Sequence, residues 1–137
     1  MDSVTEVGDF TDIVVDTSGN IHIAYQDETN DDLRYATCSS GCTSTLSWST
    51  VRVDDTLLET DQRSMTFSID VDSAGDIHIV YVSDLASKVA EYATCSNSCL
   101  VDASWTSSVA IDTNDEVYHV DLVIDSGDAL HLSLIHI

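Results

Sequence analysis

Hydrophobic and polar residues alternate along much of the chain with a period of two. The clearest stretch is MTFSIDVD, in which Met65, Phe67, Ile69 and Val71 are each followed by a polar residue. This period is typical of a β-strand, because successive side chains of a strand point to opposite faces. A turn of sequence DSAGD follows, and another alternating stretch begins after it. No segment has a sustained helical period, so the pattern predicts an all-β protein.

The same pattern recurs along the chain. The segment DTSGNIHIAY, which begins at Asp16, matches DSAGDIHIVY, which begins at Asp72, and YATCSSGC likewise matches YATCSNSC. Val51 is matched with Val109 in this alignment, and an incomplete third copy begins near Val117. Repeats at a fixed period predict an array of units that bury their apolar faces against one another.

Each full copy predicts four short strands. The first precedes the glycine-bearing turn, the second follows it, the third runs through 33–37 or 90–94, and the fourth follows Trp48 or Trp105. Four antiparallel strands in a repeat of this length match one blade of a β-propeller. We therefore expect a partial β-propeller with two four-stranded antiparallel blades and the start of a third. The expected divisions are a lead-in at 1–9, blade repeats at 10–64 and 65–116, a partial repeat at 117–131 and a tail at 132–137.

These motifs resemble the blades of sialidase-like propellers built from bacterial neuraminidase repeats. They are more similar still to secreted microbial repeat proteins that carry DxxGxIHIxY and YATC elements in every blade. The resemblance covers roughly residues 10–133, nearly the whole chain. It implies the blade fold and leaves the activity open, because propellers support many unrelated functions.

The last residues depart from the repeat. Leu134 stands where the other copies have Tyr25 and Tyr81, and the terminal LSLIHI resembles a translated sequencing adapter. We therefore expect 132–137 to be a non-native tail on a truncated reading frame. Because an array of fewer than three units leaves apolar surface and an unpaired strand exposed, the sequence also predicts a marginally folded or self-associating chain.

The charge of the chain excludes some classes of partner. Lys and Arg total 4 against 25 Asp and Glu, which gives a formal net charge of −21. Nucleic acids and anionic membranes attract Lys and Arg, so both are poor partners for this chain. No apolar run approaches the roughly 20 residues of a membrane span. A hydrophobic content of 43% nevertheless favours a folded chain over a disordered one.

Each full repeat contains its own pair of cysteines, Cys38 with Cys42 and Cys95 with Cys99. We expect a disulfide within each blade, because repeated cysteine pairs suit an oxidising compartment. That compartment would place the protein outside the cell or at the cell surface. The alternative is a zinc ion held by the four thiolates, since the spacing within each pair falls in the usual range.

Three histidines occupy the same position in successive copies, His22, His78 and His131. A repeated residue usually serves repeated packing, so we expect these side chains to satisfy buried hydrogen bonds. The alternative is a ring of imidazoles that binds metal or transfers protons.

Aspartates crowd the turn of the second copy. Asp70, Asp72 and Asp76 are candidate calcium ligands, because calcium prefers carboxylate oxygens. We expect Asp16 and Asp72 instead to accept backbone hydrogen bonds within their turns, with calcium binding as the alternative.

No catalytic residue and no cofactor site is predicted. A sialidase-like enzyme would need several converging arginines, yet Arg34 is replaced by Glu91 in the second copy and Arg52 by Ala110. We therefore expect a noncatalytic extracellular propeller segment that acts as a binding or adhesion scaffold for a glycan or a protein, with neighbouring blades of a longer protein as its other partners. The alternative is a fragment of a sialidase-like glycan-processing enzyme whose active residues lie in other blades.

Overall fold

The computed structural model describes residues 7–55, 66–83, 89–111 and 117–136. These residues form strands and short connections, with two single turns of 3-10 helix at Thr45–Ser47 and Asp102–Ser104. Blade 1 consists of β1 (Val7–Val15), β2 (Ile21–Asp27), β3 (Asp32–Cys38) and β4 (Ser49–Asp54). Blade 2 consists of β5 (Phe67–Val71), β6 (Ile77–Ser83), β7 (Val89–Cys95) and β8 (Thr106–Ile111). The third blade has β9 (Val117–Ile124) and β10 (Leu130–His136).

Every strand pairs antiparallel with the strand that follows it in its own blade. Blades 1 and 2 are four-stranded sheets in sequential strand order, and the third sheet has two strands. The first strands of the three blades, β1, β5 and β9, lie next to one another. This arrangement confirms the predicted all-β, partial propeller of two blades and the start of a third.

Each blade has two faces, because successive side chains alternate across the strands. We call the face that carries Tyr25 in blade 1 and Tyr81 in blade 2 the rear face. The opposite face, which carries His22 in blade 1 and His78 in blade 2, is the forward face. The forward face of blade 1 packs on the rear face of blade 2 in one buried core that includes Tyr35 and Trp105, whose rings lie 5.3 Å apart. A second core joins the forward face of blade 2 to the third blade.

Polar side chains of β5 connect blade 2 to the third blade. Thr66 Oγ1, just before β5, accepts a hydrogen bond from the Val120 amide at 2.9 Å, and Asp70 Oδ2 accepts one from the Ile124 amide at 2.6 Å. Between them the Ser68 hydroxyl contacts the Leu122 carbonyl at 3.3 Å. The polar side of this alternating strand therefore bonds to the backbone of the neighbouring blade.

One side chain of blade 1 also bonds to the backbone of the next blade. Asp12 Oδ2 accepts a hydrogen bond from the amide of Ile69 at 2.9 Å, across the interface between blades 1 and 2. Such a bond satisfies a backbone donor that would be costly to leave unpaired where it is buried.

Strand pairing corrects one detail of the sequence alignment. Val51 pairs with Tyr35, and Ser108 pairs with Tyr92, which is the repeat equivalent of Tyr35. Val51 therefore corresponds to Ser108, and Arg52 corresponds to Val109 rather than Ala110. The sequence match was shifted by one residue because it aligned Val51 with Val109, which lies one position farther along the repeat.

Two of the observed strands extend across the boundaries of the expected divisions. β1 begins at Val7, inside the expected lead-in at 1–9. β10 continues to His136 and pairs with β9 as far as Val117, so residues 132–136 of the expected tail lie within a strand.

Candidate binding site

An aspartate organises the turn between the first two strands of each blade. Asp16 Oδ1 accepts hydrogen bonds from the amides of Ser18 and Asn20, both at 2.8 Å. Asp72 and Asp125 accept the equivalent pairs of amide bonds in the other two blades. These bonds close the turn from within, as expected for aspartates in tight turns.

The turn conformation explains the glycine in the first two copies. Gly19 and Gly75 have φ angles of 84° and 88°, which a residue with a Cβ rarely adopts. In the third copy the glycine comes one residue earlier, and Asp128 takes this position with a φ angle of 60°. Asp128 also accepts hydrogen bonds from the amide and hydroxyl of Ser73, at 2.8 and 2.5 Å, and so ties the third turn to the second.

The second oxygen of each turn aspartate contacts the repeated histidine. Nε2 of His22 lies 3.3 Å from Asp16 Oδ2, and Nδ1 lies 2.7 Å from the hydroxyl of Tyr35. Because an ionised carboxylate only accepts hydrogen bonds, Nε2 donates to Asp16, and in a neutral imidazole Nδ1 then accepts from the tyrosine. Burial raises the pKa of Tyr35, which keeps the hydroxyl protonated as the donor.

The same chain of contacts occurs in blade 2. His78 lies between Asp72, at 3.4 Å, and Tyr92, at 2.5 Å. In the third blade His131 contacts Asp125 at 2.9 Å, and both side chains are exposed. The three histidines therefore serve as links within their own blades.

We expect the turn aspartates to make stability depend on acid pH. Burial alone would raise the pKa of Asp16, but hydrogen bonds from Asn20, His22 and Ser18 lower it from 3.8 to about 2. A carboxyl with a lowered folded-state pKa contributes stability that is present above its unfolded pKa and is lost as the pH falls through the folded value. The contribution of Asp16 should therefore disappear between about pH 4 and pH 2.

The test is urea unfolding of Asp16→Ala beside the original chain from pH 7 to pH 2. At pH 7 the variant should lose about 1–2 kcal/mol, because two turn amides lose their acceptor. At pH 2 the two proteins should approach equal stability. Comparing them at each pH cancels the relief of charge repulsion that both undergo in acid. A difference that stays constant down to pH 2 would show that the charge of Asp16 is unimportant.

The calcium candidates are engaged in hydrogen bonds within the protein. Asp70 accepts from the amides of Val71 and Ile124, Asp72 accepts within its turn, and Asp76 Oδ2 accepts from the hydroxyl of Ser96 at 2.8 Å. Among the described residues, no three His, Cys, Asp or Glu side chains are grouped as a metal ion would need.

The cysteines form the expected bridges within the blades. Cys38 is joined to Cys42 and Cys95 to Cys99. Each closed loop is held by the next tryptophan, because the indole of Trp48 donates to the Cys42 carbonyl at 3.1 Å and that of Trp105 donates to the Cys99 carbonyl at 3.0 Å. The sequence showed that both tryptophans recur at one spacing, but it did not indicate this role.

A polar cleft of about 320 Å³ lies between the outer parts of blades 1 and 2. Its lining consists of Arg52, Val53, Asp54, Asp55, Glu91, Asp102 and Ser107. The Arg52 guanidinium donates to Asp102 across the blade interface at 2.9 and 3.1 Å. Asp55 lies 3.5 Å from the same guanidinium. In the sequence Arg52 is identifiable only as an arginine that does not recur, and no local pattern indicates this cleft.

A buried tyrosine contacts two of the carboxylates that line the cleft. The hydroxyl of Tyr81 contacts Asp54 of blade 1 and, at 3.1 Å, Glu91 of blade 2. Ser83 donates to the other oxygen of Glu91 at 2.7 Å. Burial, and then the hydrogen bond and negative charge of Asp54, raise the pKa of Tyr81 far above its usual value. The tyrosine therefore remains a neutral hydrogen-bond donor.

A second cleft, which is largely apolar, lies between blade 2 and the third blade. Its volume is about 390 Å³, and its lining includes Val80, Tyr92, Val109, Leu122 and Leu132. Tyr92 is the repeat equivalent of Tyr35, whose ring is covered by Trp105.

The two described arginines lie in separate ion pairs. The guanidinium of Arg34 contacts the buried Asp27 at 3.1 Å, and Arg52 contacts Asp102 and Asp55. Burial alone would raise the pKa of Asp27, but hydrogen bonds from Asn30 and Arg34 and the charge of Arg34 lower it. Each of these two guanidinium groups is therefore paired with a carboxylate of its own, and the two do not share a partner.

No helix in the described parts of the chain has the length and apolar character needed to cross a membrane. Comparison with known proteins adds no relative, since no protein-family model matches the chain and no curated protein matches it significantly.

Proposed function

We propose that the chain is a noncatalytic segment of an extracellular β-propeller that acts as a binding or adhesion scaffold for a glycan or a protein. The Asp, His and Cys residues that recur between blades make bonds within the protein. The turn aspartates close their turns, the histidines contact aspartate and tyrosine, and the cysteines are bridged. This leaves the residues that do not recur as the candidates for ligand binding.

The observation that carries the proposal is the polar cleft between blades 1 and 2. Arg52 and Asp102 come from different blades, and neither has an equivalent charged residue in the other blade. Val109 corresponds to Arg52, and Thr45 corresponds to Asp102, because each begins the 3-10 turn of its blade. Their side chains are 43% and 54% exposed, so both remain accessible to a ligand. Unlike the repeated residues, this pair of side chains occurs at a single interface, the one between blades 1 and 2.

The charge of the cleft favours an uncharged ligand. Its lining includes one arginine and four acidic residues. An anionic ligand would meet net repulsion there, whereas hydroxyl groups can donate to carboxylates and accept from the guanidinium. A neutral glycan presents many such hydroxyls, and it is the ligand class that we infer.

The disulfides support an extracellular location. Disulfide bonds persist in oxidising compartments and are rare in the cytosol. Both cysteine pairs of this chain are bridged, so we infer a secreted or cell-surface protein.

The enzymatic alternative has less support in the described residues. A sialidase-like site binds an anionic sugar with converging arginines, whereas Arg34 and Arg52 are each paired with acidic side chains. Because this alternative places the active residues in other blades, it predicts that a longer protein containing those blades hydrolyses a fluorogenic sialoside, whereas the scaffold proposal predicts no hydrolysis by that protein.

The binding test is titration of the chain with neutral oligosaccharides of several linkages, followed by calorimetry, with sialyllactose as the anionic counterpart. We expect a neutral oligosaccharide to bind and Asp102→Asn to weaken that binding about tenfold, or about 1.4 kcal/mol. Asp128→Asn is the matched control, because it neutralises an exposed carboxylate in the β9–β10 turn, outside the cleft lining. Absence of binding by every neutral sugar, or equal loss in the two variants, would contradict the assignment of this cleft.

A further inference from the structure

The segment 99–105, which we call the Asp102 loop, is held at both ends. Its first residue, Cys99, is bridged to Cys95 at the end of β7. The indole of its last residue, Trp105, donates to the Cys99 carbonyl at 3.0 Å. Between them the backbone forms a 3-10 turn, in which the Trp105 amide donates to the Asp102 carbonyl at 3.1 Å. The backbone of Asp102 is therefore closely restrained.

Trp105 also fixes the Asp102 loop relative to blade 1. Its side chain is buried, and its ring lies 5.3 Å from that of Tyr35 in the core between the two blades. The 3-10 turn of the loop lies beside β4, the strand that carries Arg52. The loop is thus tied to its own blade by a covalent bond and to blade 1 by packing, and together these restraints place Asp102 next to Arg52.

The ion pair in the cleft needs such support because it is exposed. Exposed ion pairs are weak, since two side chains lose rotamer freedom when they are held in one geometry. Asp102 Oδ2 nevertheless accepts from both Nε and Nη2 of Arg52, at 3.1 and 2.9 Å. Asp55 lies 3.5 Å from the same guanidinium and is a second possible partner for it. If the Asp102 backbone were free to move, we would expect Arg52 to turn toward Asp55.

Blade 1 contains the same loop frame without the carboxylate. Cys38 is bridged to Cys42, and the indole of Trp48 donates to the Cys42 carbonyl at 3.1 Å. The 3-10 turn of this loop begins at Thr45, where blade 2 has Asp102. The frame is therefore a repeated structural unit, and the carboxylate that it presents is specific to blade 2.

We propose that the Cys95–Cys99 bridge and Trp105 are positioning elements of the polar cleft, which hold Asp102 against Arg52 so that a ligand meets a preformed pair. This role rests on the proposed function, because it concerns the same cleft, but its effect on the ion pair requires no ligand. A fixed pair favours binding, since less side-chain ordering remains to be done when the ligand arrives.

The test follows the side chain of Arg52 by NMR. The chain has three arginines, and each gives one Nε–H signal in a nitrogen–proton spectrum, so the Arg52 signal is identified by its absence in Arg52→Lys. Asp102→Ala gives the position of this signal when the ion pair is absent. We expect Cys95→Ser/Cys99→Ser to move the signal toward that position, because the loop is then free at one end.

The matched control is Cys38→Ser/Cys42→Ser, which removes the equivalent bridge of blade 1 and should leave the Arg52 signal in place. In this control chain the remaining bridge can be reduced reversibly with dithiothreitol. One thiolate of the reagent attacks the partly exposed sulfur of Cys99 and releases Cys95 as a thiol, and its second thiol then closes a cyclic disulfide and releases Cys99. Reduction should move the signal, and reoxidation by glutathione disulfide, which is itself reduced to glutathione, should return it.

Binding of a neutral oligosaccharide is the second readout. Cys95→Ser/Cys99→Ser should weaken it by as much as the roughly tenfold expected for Asp102→Asn, and the control variant should leave it unchanged. If the original chain binds no neutral sugar, the glycan assignment fails, and the NMR signal still decides the positioning role.

The positioning role is overturned if the Arg52 signal stays in place when the Cys95–Cys99 bridge is lost, or if loss of the blade 1 bridge moves it as far. Should Cys95→Ser/Cys99→Ser fail to fold, Trp105→Phe tests the same role with the bridge intact. It keeps an aromatic ring against Tyr35 and removes only the indole donor, so it should move the signal, whereas an unmoved signal would overturn the role.

Discussion

Replacing Ile69 with alanine is expected to lower the free energy of unfolding by about 2–5 kcal/mol. Ile69 lies in the core between blades 1 and 2, and its side chain is almost completely buried. Truncation removes three carbon atoms from this core and leaves a cavity that the two sheets can fill only in part. A loss of this size is a large fraction of the roughly 5–15 kcal/mol by which whole domains are stable.

The repeat supplies a matched control for this prediction. Ile13 is the equivalent isoleucine of blade 1, but it lies on the uncovered rear face and is largely exposed. Ile13→Ala should therefore change stability by no more than about 0.5 kcal/mol. Both variants would be unfolded with urea under the same conditions as the original chain. Equal losses in the two variants would show that blade 1 and blade 2 do not pack as described.

Much of the fold could be predicted from the alternation of residues. The alternation around Phe67 and Ile69 identified a strand, and the repeated DxxG turn identified a hairpin. A period of two separates the faces of a strand, but it does not tell what covers each face. The polar side chains of Thr66, Ser68 and Asp70 could therefore not be assigned to the interface with β9, where they bond to the next blade.

The tyrosine that hydrogen-bonds the repeated histidine could more nearly have been predicted from the sequence. His22 pairs directly with Thr37 in the β2–β3 hairpin, which places Tyr35 on the same face as its diagonal neighbour. Side chains at this diagonal are within reach of each other when one is aromatic. The repeat of both His and Tyr, 13 residues apart in blade 1 and 14 residues apart in blade 2, was the available signal, and its use requires knowledge of the hairpin register.

The candidate site could not be predicted from the sequence. Arg52 and Asp102 are 50 residues apart and belong to different repeats. Their contact depends on how one blade is placed beside the next, and no local pattern encodes that placement. The repeat pattern identifies residues that recur, and Arg52 and Asp102 do not recur.

Replacing Tyr81 with phenylalanine is expected to lower the free energy of unfolding by about 1–3 kcal/mol. The ring is unchanged, so packing is preserved and only the hydroxyl is lost. That hydroxyl is the donor placed between Asp54 of blade 1 and Glu91 of blade 2, and all three side chains are buried. Without this hydroxyl, the two buried carboxylates face each other across the blade interface and lose a hydrogen-bond donor. The loss lowers stability because a buried acceptor without its donor is energetically unfavourable.

A double-mutant cycle with Glu91→Gln separates this electrostatic effect from a general loss of structure. If Tyr81 acts by satisfying the buried carboxylates, its removal should cost less once Glu91 has lost its charge, with a coupling of about 0.5–3 kcal/mol. The measurement is urea unfolding of the original chain, the two single variants and the double variant at pH 7. Strictly additive losses would show that the hydroxyl of Tyr81 stabilises the interface independently of Glu91, and that its role must then be sought in the bond to Asp54 alone.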